Sequence, residues 1–484
     1  MSLAVRLLGA TLGARGARRV ARLHPALDAE AAYRRFLAVR DVSIPTPAGS
    51  DGPLVSILLP VFDAPAAPLA AALQSVRAQT FGNFELCAAD AGPAQSRGSE
   101  LLRDAAAADP RFRWIRIGSN RGIGGNTNLA LAAARGEFVL FLDQDDLLAR
   151  DALACLVAAA SRDPSVDLVY SDKDNVTPWG DRYDPYFKPD WSPELLLSTN
   201  FVTHAALLRR ERLVAASGLA EDLDGAQDWD LFLRLAERGL RVAHVARVLY
   251  HWRSVATSAA SNHAAKPYID RVCRATLARS LERRRLPGRM PAEGSLRILP
   301  AFDRRPRIAV VERAEDAGAA RGELVLFQEP GFRFDAEDAA LRLAFWALVP
   351  GVGASGAVVH DRHGAIEHTG FAFPNGRALP LFAGASATRW SPLGFPGFVR
   401  NVSALGPGAW MTRREVLESV GPAASAAEYS AHVRAAGLRC VVVPDAVAFR
   451  SSGSLELPTP LEGPDPYFNP NLDPHSPVPR PRED

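Results

Sequence analysis

Short apolar runs that end in acidic residues recur along the first 150 positions. The run at 138–142 has no polar interruption and stops at Asp143, Asp145 and Asp146. Such a run predicts an inner strand of a parallel sheet, which is covered on both faces. Ligands bind beyond the carboxyl ends of these strands, and crowded carboxylates favour a divalent cation that carries a diphosphate. The alternative is that Asp145 and Asp146 cap a helix predicted over 147–160.

Strand and helix patterns alternate before this run. The predicted strands cover 55–62, 84–90 and 112–117, and the predicted helices cover 69–79, 101–108 and 129–134. The first two strands lead into Asp63 and Asp90. This alternation predicts a β-α-β nucleotide-binding half-domain with a parallel sheet. A glycine-rich loop at 120–128 enters the last of these helices and could place N–H groups near phosphate, although its spacing is not the dinucleotide fingerprint.

Composition narrows the protein class. A chain of 484 residues predicts two or three domains. The formal net charge of +2 gives no general attraction to nucleic acid. The four cysteines are scattered without metal-ligand spacing, which indicates buried thiols in a reducing compartment. No apolar run approaches the length of a membrane span.

Residues 1–50 are predicted to form a basic helical arm. Seven arginines lie between positions 15 and 40, against only Asp28 and Glu30. A basic amphipathic arm can lie on an anionic membrane. A solvated helix docked on the first domain is the preferred interpretation. We therefore expect a cytoplasmic protein, with peripheral contact at the inner face of the membrane as the alternative.

Several motifs, taken in order, resemble those of the family 2 glycosyltransferases. They are the run 55–62, the strand ending at Asp90, Asn120-x-Gly122 with Asn128, and the stretches 141–146, 169–172, 187–192, 227–230 and 249–253. The resemblance covers about residues 53 to 256. It implies a GT-A fold, a Rossmann-like α/β domain, here placed at 51–258. It also implies a nucleotide-sugar donor, a divalent metal (Mn²⁺ or Mg²⁺) and inversion at the anomeric carbon.

The resemblance assigns residues to the metal and the donor sugar. Asp145 stands in the family's DxD position and is predicted to ligate the metal. Asp143 is predicted to contact the donor ribose or sugar. His251 is predicted to supply an imidazole to the same ion, or else to be a packed residue. A metal neutralises the charge that develops on the leaving diphosphate without proton transfer.

Other positions are assigned to the nucleotide. Asp90 is predicted to hydrogen-bond the donor base, and Asp63 and Asn120 to line the nucleotide pocket. The residues after Asp90 depart from the family pattern of paired acids followed by Gly-Ser. This departure leaves the choice of donor open, and we expect a UDP- or dTDP-linked sugar.

Asp228 matches the position of the family's catalytic base, at the start of a predicted helix that runs through residue 235. A helix N-terminus favours the ionised carboxylate, so the base must act late, as the attacking hydroxyl becomes acidic. The alternative is a helix-terminal acid without chemistry. Lys188, Asp190 and Trp191 lie where acceptors bind in this fold, although Trp191 fits a core position equally well.

The second half of the chain repeats the first in a shortened form. The stretch 321–327 echoes 135–141, which predicts a helical connector at 259–300, a degenerate GT-A-like domain at 301–455 and a proline-rich tail at 456–484. In register, Glu329 replaces Asp143, Gly331 replaces Asp145, Phe449 replaces His251, and Glu428 falls opposite Asp228. We expect no sugar transfer there. Residues 361–364 are predicted to form a hairpin rather than a metal site.

The leading hypothesis is an inverting, metal-dependent glycosyltransferase that acts on a glycan or lipid-linked glycan in cell-surface polysaccharide synthesis. The first alternative is a non-catalytic protein that binds carbohydrate or nucleotide. The second is a nucleotidyltransferase, in which Asp228 and the His-Trp motif would have no role. The retention of Asp143, Asp145, Asp228 and His251 in one domain favours the enzyme.

Overall fold

The computed structural model of the chain describes residues 25–41, 51–253, 268–452, 454–459 and 463–483. The α-helices are α1 Pro25–Val39, α2 Ala66–Arg77, α3 Arg97–Ala108, α4 Gly122–Ala133, α5 Ala152–Arg162, α6 Pro193–Leu196, α7 Arg210–Ala215, α8 Gln227–Ala236, α9 Tyr268–Arg283, α10 Ala339–Ala347, α11 Arg414–Val420 and α12 Ala426–Ala435.

The strands lie between these helices and are mostly short. They are β1 Val55–Val61, β2 Phe84–Asp90, β3 Phe112–Arg116, β4 Phe138–Phe141, β5 Leu147–Leu148, β6 Leu168–Val176, β7 Arg182–Tyr186, β8 Ala206–Arg209, β9 Val242–Arg253, β10 Gly288–Arg289, β11 Leu299–Pro300, β12 Ile308–Val311, β13 Leu324–Gln328, β14 Phe332–Phe334, β15 Val352–His360, β16 Ile366–His368, β17 Phe371–Ala372, β18 Leu379–Pro380, β19 Arg400–Val402, β20 Ala409–Arg413 and β21 Arg439–Arg450.

The chain forms two compact units whose boundaries differ from the predicted domains. The first contains the described residues up to Lys188, then Val202–Cys273 and the end of the chain from Arg480. The second contains Pro189–Phe201 and Arg274–Pro479. A short internal segment and most of the predicted tail therefore belong to the second unit, which a division by sequence blocks did not anticipate.

The first unit is built on one mixed sheet of nine strands. Its order is β3-β2-β1-β4-β8-β6-β9-β5, with β7 beside β6. The first four strands in this order are mutually parallel, as the alternation of strands and helices predicts. Beyond β4 the strand directions become mixed, because β8 runs antiparallel to both β4 and β6. Parallel strands bring their carboxyl ends to one edge, where the acidic residues follow.

The buried strands of this sheet are apolar on both faces. In β1, every residue from Val55 to Leu59 is fully buried, and β4 is buried throughout. Burying each such aliphatic side chain contributes about 1.5–3 kcal/mol. Close packing also explains Gly136, because a Cβ there would lie 2.6 Å from the backbone nitrogen of Ser56. The Ser56 hydroxyl in turn accepts the N–H of Gly136 at 2.8 Å.

The sheet of the second unit follows the same plan. Its order is β12-β13-β20-β15-β21-β14, which matches β1-β4-β8-β6-β9-β5 in the first unit. Each of the five pairings in one series has the same direction as its counterpart in the other. Among the described residues, no strand of the second unit pairs with the outer edge of β12, where β2 and β3 lie in the first.

Local contacts repeat as well. The Arg210 guanidinium donates to the carbonyl of Gly136 at 2.7 Å, and the Arg414 guanidinium donates to the carbonyl of Gly322 at 2.8 Å. A Cβ at Gly322 would lie 2.7 Å from the backbone nitrogen of Ala309 in β12. In the same way, a Cβ at Gly136 would lie 2.6 Å from the backbone nitrogen of Ser56 in β1. Gly136 and Gly322 are positions that the sequence repeat aligns. A common origin of the two units stays a prediction that this correspondence supports.

Three local predictions have clear outcomes. The helix predicted over 147–160 is wrong at its start, because Leu147 and Leu148 pair with β9 and the helix begins only at Ala152. The hairpin is confirmed, since Asp361 donates its N–H to the carbonyl of Ala365 at 2.9 Å between β15 and β16. The connector contains the expected helix, α9.

The N-terminal helix docks on the first unit as preferred from the sequence. Tyr33 and Phe36 of α1 are buried, with rings 6.3 and 5.0 Å from the ring of Phe187. The residues before 25 lie outside the described part of the chain, so contact of the arm with a membrane stays a prediction. No helix in the described part has the length and apolar character needed to cross a bilayer.

Candidate active site

The strand ends bring the nucleotide-side residues together. Register pairs Val61 of β1 with Asp90 of β2, and Phe62 donates its N–H to the Gln144 side chain at 2.9 Å. Asp63 follows with a left-handed backbone, φ 45°. A Cβ at Gly92 would lie 3.2 Å from a carboxylate oxygen of Asp90 and 3.3 Å from the nitrogen of Asp63, so these two predicted residues are neighbours.

Asp90 is fully buried and well bonded. One carboxylate oxygen accepts the Ser99 hydroxyl at 2.6 Å and the Trp114 indole at 3.0 Å, and it lies 3.1 Å from the Arg116 guanidinium. The other accepts the N–H of Gly92 at 2.9 Å. These donors fix the carboxylate at the sheet edge. Contact of Asp90 with a donor base stays a prediction, and a base would have to share a carboxylate that already accepts several hydrogen bonds from the protein.

The glycine-rich loop is closed by an acid from elsewhere in the chain. The two carboxylate oxygens of Asp224 accept the N–H groups of Ile123 and Gly124, each at 2.9 Å, in the first turn of α4. Asn120 accepts the N–H of Gly122 at 3.0 Å. The expectation that these N–H groups face a phosphate is therefore corrected, because protein oxygens already occupy them. Asn120 shapes the loop, and its contact with a nucleotide stays a prediction.

The three carboxylates after β4 have different environments. Asp146 is fully buried and accepts the Tyr250 hydroxyl at 2.6 Å and the N–H of Arg253 at 2.7 Å. Burial, followed by the nearby charges of Asp143 and Asp145, raises the pKa of Asp146 to about 8. It therefore anchors the acidic turn to β9. The helix-cap alternative is wrong, since no helix begins at this turn.

His204 lies beside Asp143 and was missed by the sequence analysis. Its Nε2 is 3.5 Å from an oxygen of Asp143, and its ring stacks on Tyr250 at 4.8 Å. Burial lowers the pKa of His204, but attraction to Asp143 and Asp228 prevails, and the net shift is upward. Burial likewise opposes ionisation of Asp143, and His204 nevertheless brings the pKa of that carboxyl below its ordinary value. His204 belongs to no motif, and its partners Asp143 and Tyr250 are distant in the sequence, so no residue spacing pointed to it.

Asp228 lies in the first turn of α8, as predicted. One carboxylate oxygen accepts the N–H of Trp229 at 2.9 Å, and its charge acts on His204. Within the same helix, Arg234 donates to Asp230 at 2.7 Å, and it also donates to the carbonyl of Gly218 at 2.8 Å, which ties the helix to the segment before it. His204 therefore contacts Asp143 directly and also senses the charge of Asp228. This arrangement brings the predicted base to the same site as the acidic turn.

His251 is held by a buried carboxylate from the neighbouring strand. Its Nδ1 lies 2.6 Å from one oxygen of Asp174, and the other oxygen accepts the Tyr33 hydroxyl at 2.5 Å. The Arg182 guanidinium bonds both Asp174 and Asp41. Asp174 is fully buried, and the imidazole of His251 is 12% exposed. The sequence analysis did not find Asp174 or Tyr33, because both lie far from His251 along the chain.

The described residues around the acidic turn form no protein cage for a metal ion. No group of three His, Cys, Asp or Glu in the described part of the chain is arranged to hold an ion alone. Mg²⁺ commonly takes one or two carboxylates plus substrate phosphates and water. Asp145 is half-buried. Its backbone carbonyl accepts a hydrogen bond from the Arg253 guanidinium at 2.7 Å, so Asp145 lies beside β9, the strand that also carries His251. Metal ligation by Asp145 and His251 stays a prediction that these donor types suit.

Lys188 does not face an acceptor pocket, and its predicted role is corrected. The side chain is fully buried, and its ammonium donates to the carbonyls of Val202 and His204 at 2.7 and 2.9 Å. Burial holds the pKa of Lys188 well below its usual range. The Lys188 side chain therefore supports the segment that carries His204. The sequence position of Lys188 does not reveal this structural role.

The other predicted acceptor residues belong to the second unit. Asp190 is exposed, and its N–H donates to the carbonyl of Pro466 at 2.8 Å. Trp191 is half-buried with its ring 6.1 Å from that of Phe201. Both lie in the segment Pro189–Phe201. Their contact with an acceptor stays a prediction, and partial burial suits Trp191 as a packing residue.

The corresponding region of the second unit lacks most of these side chains. In the second unit, Arg333 of β14 pairs with Phe449 of β21, and in the first unit Leu147 of β5 pairs with His251 of β9. Phe449 is therefore the counterpart of His251. Glu329 is half-buried, and burial raises its pKa. It lines a cavity of about 370 Å³ together with Phe327, Trp410, Ser425 and other residues. Glu428 accepts the N–H of Ala424 at 2.8 Å in a helix cap.

Part of the chain matches a known family. Residues 56–214 match the sequence model described as Glycosyl transferase family 2. The O-antigen biosynthesis protein RfbC of Myxococcus xanthus is 39% identical over 212 residues, which are 44% of this chain and 17% of RfbC. A chondroitin synthase of Escherichia coli is 29% identical over 200 residues, 41% of this chain and 29% of that protein. An uncharacterised Sinorhizobium fredii protein, y4gI, is 37% identical over 235 residues, 48% of this chain and 26% of y4gI. The matches thus span less than a third of these relatives' lengths.

The sequence identity to the matching solved structures is lower than the identity to these relatives. Staphylococcus aureus TarS 1–349 in complex with UDP-GlcNAc superposes with a TM-score of 0.39 at 18% identity, covering 47% of this chain and 66% of that one. The Pyrobaculum calidifontis mannosyltransferase PcManGT, in complex with GDP-Man and Mn²⁺, superposes with a TM-score of 0.35 at 20% identity, covering 52% of this chain and 70% of that one.

Proposed function

We propose that this chain, whose residues 56–214 form a family 2 glycosyltransferase domain of the GT-A fold, transfers a sugar from a nucleoside diphosphate to a hydroxyl of a glycan or lipid-linked glycan. The observation that carries the proposal is that His204 lies 3.5 Å from Asp143 of the acidic turn and is also under the charge of Asp228. These carboxylates come from separate parts of the chain. Their shared influence on one imidazole supports a site with a donor side at Asp143 and an acceptor side at Asp228.

The donor side would hold the nucleotide and the metal. Asp63 and Asp90 lie together at the ends of β1 and β2 and would bind the nucleoside, with UDP- or dTDP-linked sugars as the expected donors. Asp145 and His251 would hold Mn²⁺ or Mg²⁺. When bound, the ion would neutralise charge on the departing diphosphate. Asp143, kept ionised by His204, would contact the ribose or the sugar.

The acceptor side would supply the base. As an acceptor hydroxyl attacks the anomeric carbon, Asp228 takes the hydroxyl proton and the bond from that carbon to the diphosphate oxygen breaks. Attack from the face opposite the leaving group inverts the anomeric configuration. The base acts late, because the hydroxyl becomes acidic only as the new carbon–oxygen bond forms. His204 would hold Asp228 and Asp143 in place by attraction to both.

The second unit would be a shortened, non-catalytic copy. Gly331 offers no side chain at the position aligned with Asp145, and Phe449 offers no side-chain nitrogen at the position equivalent to His251. A supporting or acceptor-holding role fits such a unit. The relatives in O-antigen and chondroitin synthesis support a place in cell-surface polysaccharide assembly, with action at the inner face of the membrane as the proposed location.

A donor screen tests the proposal. The full chain would be incubated with Mn²⁺ or Mg²⁺ and UDP-, dTDP- or GDP-linked sugars, following both melting temperature and release of the nucleoside diphosphate. A donor at 100 times its Kd stabilises the folded chain by about 2.7 kcal/mol. Asp145→Asn should lower donor turnover by about 100-fold, which corresponds to roughly 2.7 kcal/mol of lost transition-state stabilisation, while leaving the fold intact.

A matched control is Asp104→Asn, which removes an exposed carboxylate from α3 and should leave turnover unchanged. Turnover that is equal in wild type and in Asp145→Asn would remove the metal role. Stabilisation by donors without any turnover would favour the rival, a pseudo-glycosyltransferase that only binds nucleotide or carbohydrate.

A further inference from the structure

The N-terminal helix shares a buried carboxylate with the candidate metal ligand. Asp174 contacts His251 through one oxygen, at 2.6 Å, and Tyr33 of α1 through the other, at 2.5 Å. Arg182 joins the same carboxylate to Asp41, which follows α1. Residues separated by more than 200 positions therefore meet at one fully buried acid.

We propose that Asp174 is a positioning residue that fixes the His251 imidazole for a divalent cation, and that α1 completes the site by holding Asp174 through Tyr33. The inference rests on the proposed function, because it takes His251 as a metal ligand. It adds to that function two residues outside the family motifs, together with a role for the N-terminal helix.

The chemistry follows from the two nitrogens of imidazole. A neutral ring carries a proton on one nitrogen and a lone pair on the other. A carboxylate that faces Nδ1 keeps the proton there and leaves the lone pair on Nε2. In the described structure Nδ1 of His251 faces Asp174, and no hydrogen bond to Nε2 is formed by the described residues. Asp174 thus selects the tautomer and the ring orientation that a metal requires.

Asp174 needs partners of its own to stay in place. A buried carboxylate without compensating donors is costly, whereas one that accepts several hydrogen bonds is held firmly. Tyr33 supplies one of these bonds from a side chain that is 1% exposed. Its ring stacks on Phe36 at 5.7 Å, and Phe36 packs on Phe187. The apolar docking of α1 therefore fixes the hydroxyl that orients Asp174.

A purely structural network would behave differently from a positioning one. If Asp174 only stabilised the fold, its removal would lower the melting temperature and leave the affinity for metal unchanged. A positioning role predicts weaker metal binding in a folded protein, with activity that recovers at high metal concentration. Loss of a residue that orients a metal ligand typically costs 10- to 100-fold in affinity.

The experiment measures binding of Mn²⁺ to the full chain at a fixed concentration of UDP, from the electron paramagnetic resonance signal of free Mn²⁺. Asp174→Asn should weaken binding by about 10- to 100-fold. Tyr33→Phe should act in the same direction by a smaller factor. Glu85→Gln is the matched control, since Glu85 is also a buried, ion-paired carboxylate but lies at the start of β2, at the opposite end from Asp90.

The outcomes separate this inference from the proposed function. Wild-type affinity in Asp174→Asn, together with weakened binding in His251→Ala, would overturn the positioning role and leave the proposed function standing. Absence of Mn²⁺ binding by the wild type with UDP, or unchanged binding in His251→Ala, would overturn the metal assignment itself. If Asp174→Asn does not fold, Tyr33→Phe decides: unchanged Mn²⁺ affinity overturns the proposal, and a severalfold loss supports it.

Discussion

Replacing Asp224 by alanine should affect both the stability of the first unit and its catalytic geometry. The Asp224 carboxylate closes the first turn of α4 by accepting two N–H groups at 2.9 Å. It lies between the 3-10 turn Glu221–Leu223 and helix α8, which carries Asp228. One side chain therefore caps a helix and fixes the loop that leads to the proposed base.

The expected magnitude follows from these contacts. Losing a capping side chain costs typically about 1 kcal/mol, and losing a negative charge at a helix N-terminus adds about 0.3–1 kcal/mol. Water reaches this half-buried turn and replaces part of the lost bonding. We therefore expect Asp224→Ala to lower the free energy of unfolding of the first unit by about 1–2 kcal/mol. A shift of about 1 Å at a catalytic group can cost on the order of 100-fold, so transfer should fall by more than the unfolded fraction explains.

Urea unfolding and transfer rates measured on the full chain test this reasoning. Glu221→Ala is the control, because Glu221 forms an exposed ion pair with Arg121 and should contribute about 0.5 kcal/mol or less. Asp224→Asn should fall between the wild type and Asp224→Ala. The reasoning is refuted if Asp224→Ala loses no more stability than Glu221→Ala, or if it keeps the wild-type transfer rate.

Other predictions concern the base, a buried histidine and two close approaches of backbone. Asp228→Asn should keep the donor-dependent rise in melting temperature and lower transfer by about 100- to 10,000-fold; wild-type transfer would remove its role as base. Burial lowers the pKa of His368 from 6.5 to about 4, so between these values the unfolded chain binds a proton that the folded chain does not. Its contribution to stability is complete above pH 6.5 and is lost as the pH falls towards 4, by about 2 kcal/mol at pH 5. His368→Gln should therefore lose less stability between pH 7 and pH 5 in urea titrations than the exposed control His363→Gln, and equal losses would contradict this. Gly136→Ala and Gly322→Ala would each place a Cβ within 2.7 Å of neighbouring backbone, and each should destabilise its own unit by about 1–3 kcal/mol in limited proteolysis and urea unfolding; normal stability would show that the strand shifts freely.

The arrangement of the first unit could largely be predicted, because its signals are local. The apolar runs of β1, β2 and β4 identify buried strands, and the intervening helices make those strands parallel. The error at 147–160 has a tertiary cause. Leu147 and Leu148 belong to a ladder with β9, a hundred residues later, and an apolar periodic stretch does not reveal that pairing.

The candidate site could be predicted only in part. Motif positions led to Asp143 and Asp228. His204 lies in a segment of the sequence without a recognisable pattern, so it was not predicted. The same reasoning placed Lys188 at an acceptor, whereas its ammonium is enclosed by backbone carbonyls. Sequence order shows which side chains carry charge. It does not show which charges face a cavity and which are satisfied inside the protein.

The outer edge of β12 in the second unit has no counterparts of β2 and β3 among the described residues, and this limits which ligands the unit could come to bind. In the first unit the strands at that edge carry Asp90, Trp114 and Arg116, which the second unit does not replace with paired strands among its described residues. If the unit arose by gene duplication, restoring an acid at Gly331 would supply a ligand without a platform for the nucleoside. A sheet without the counterparts of β2 and β3 would therefore need added strands, and not only exchanged side chains, to offer a nucleoside the same surface.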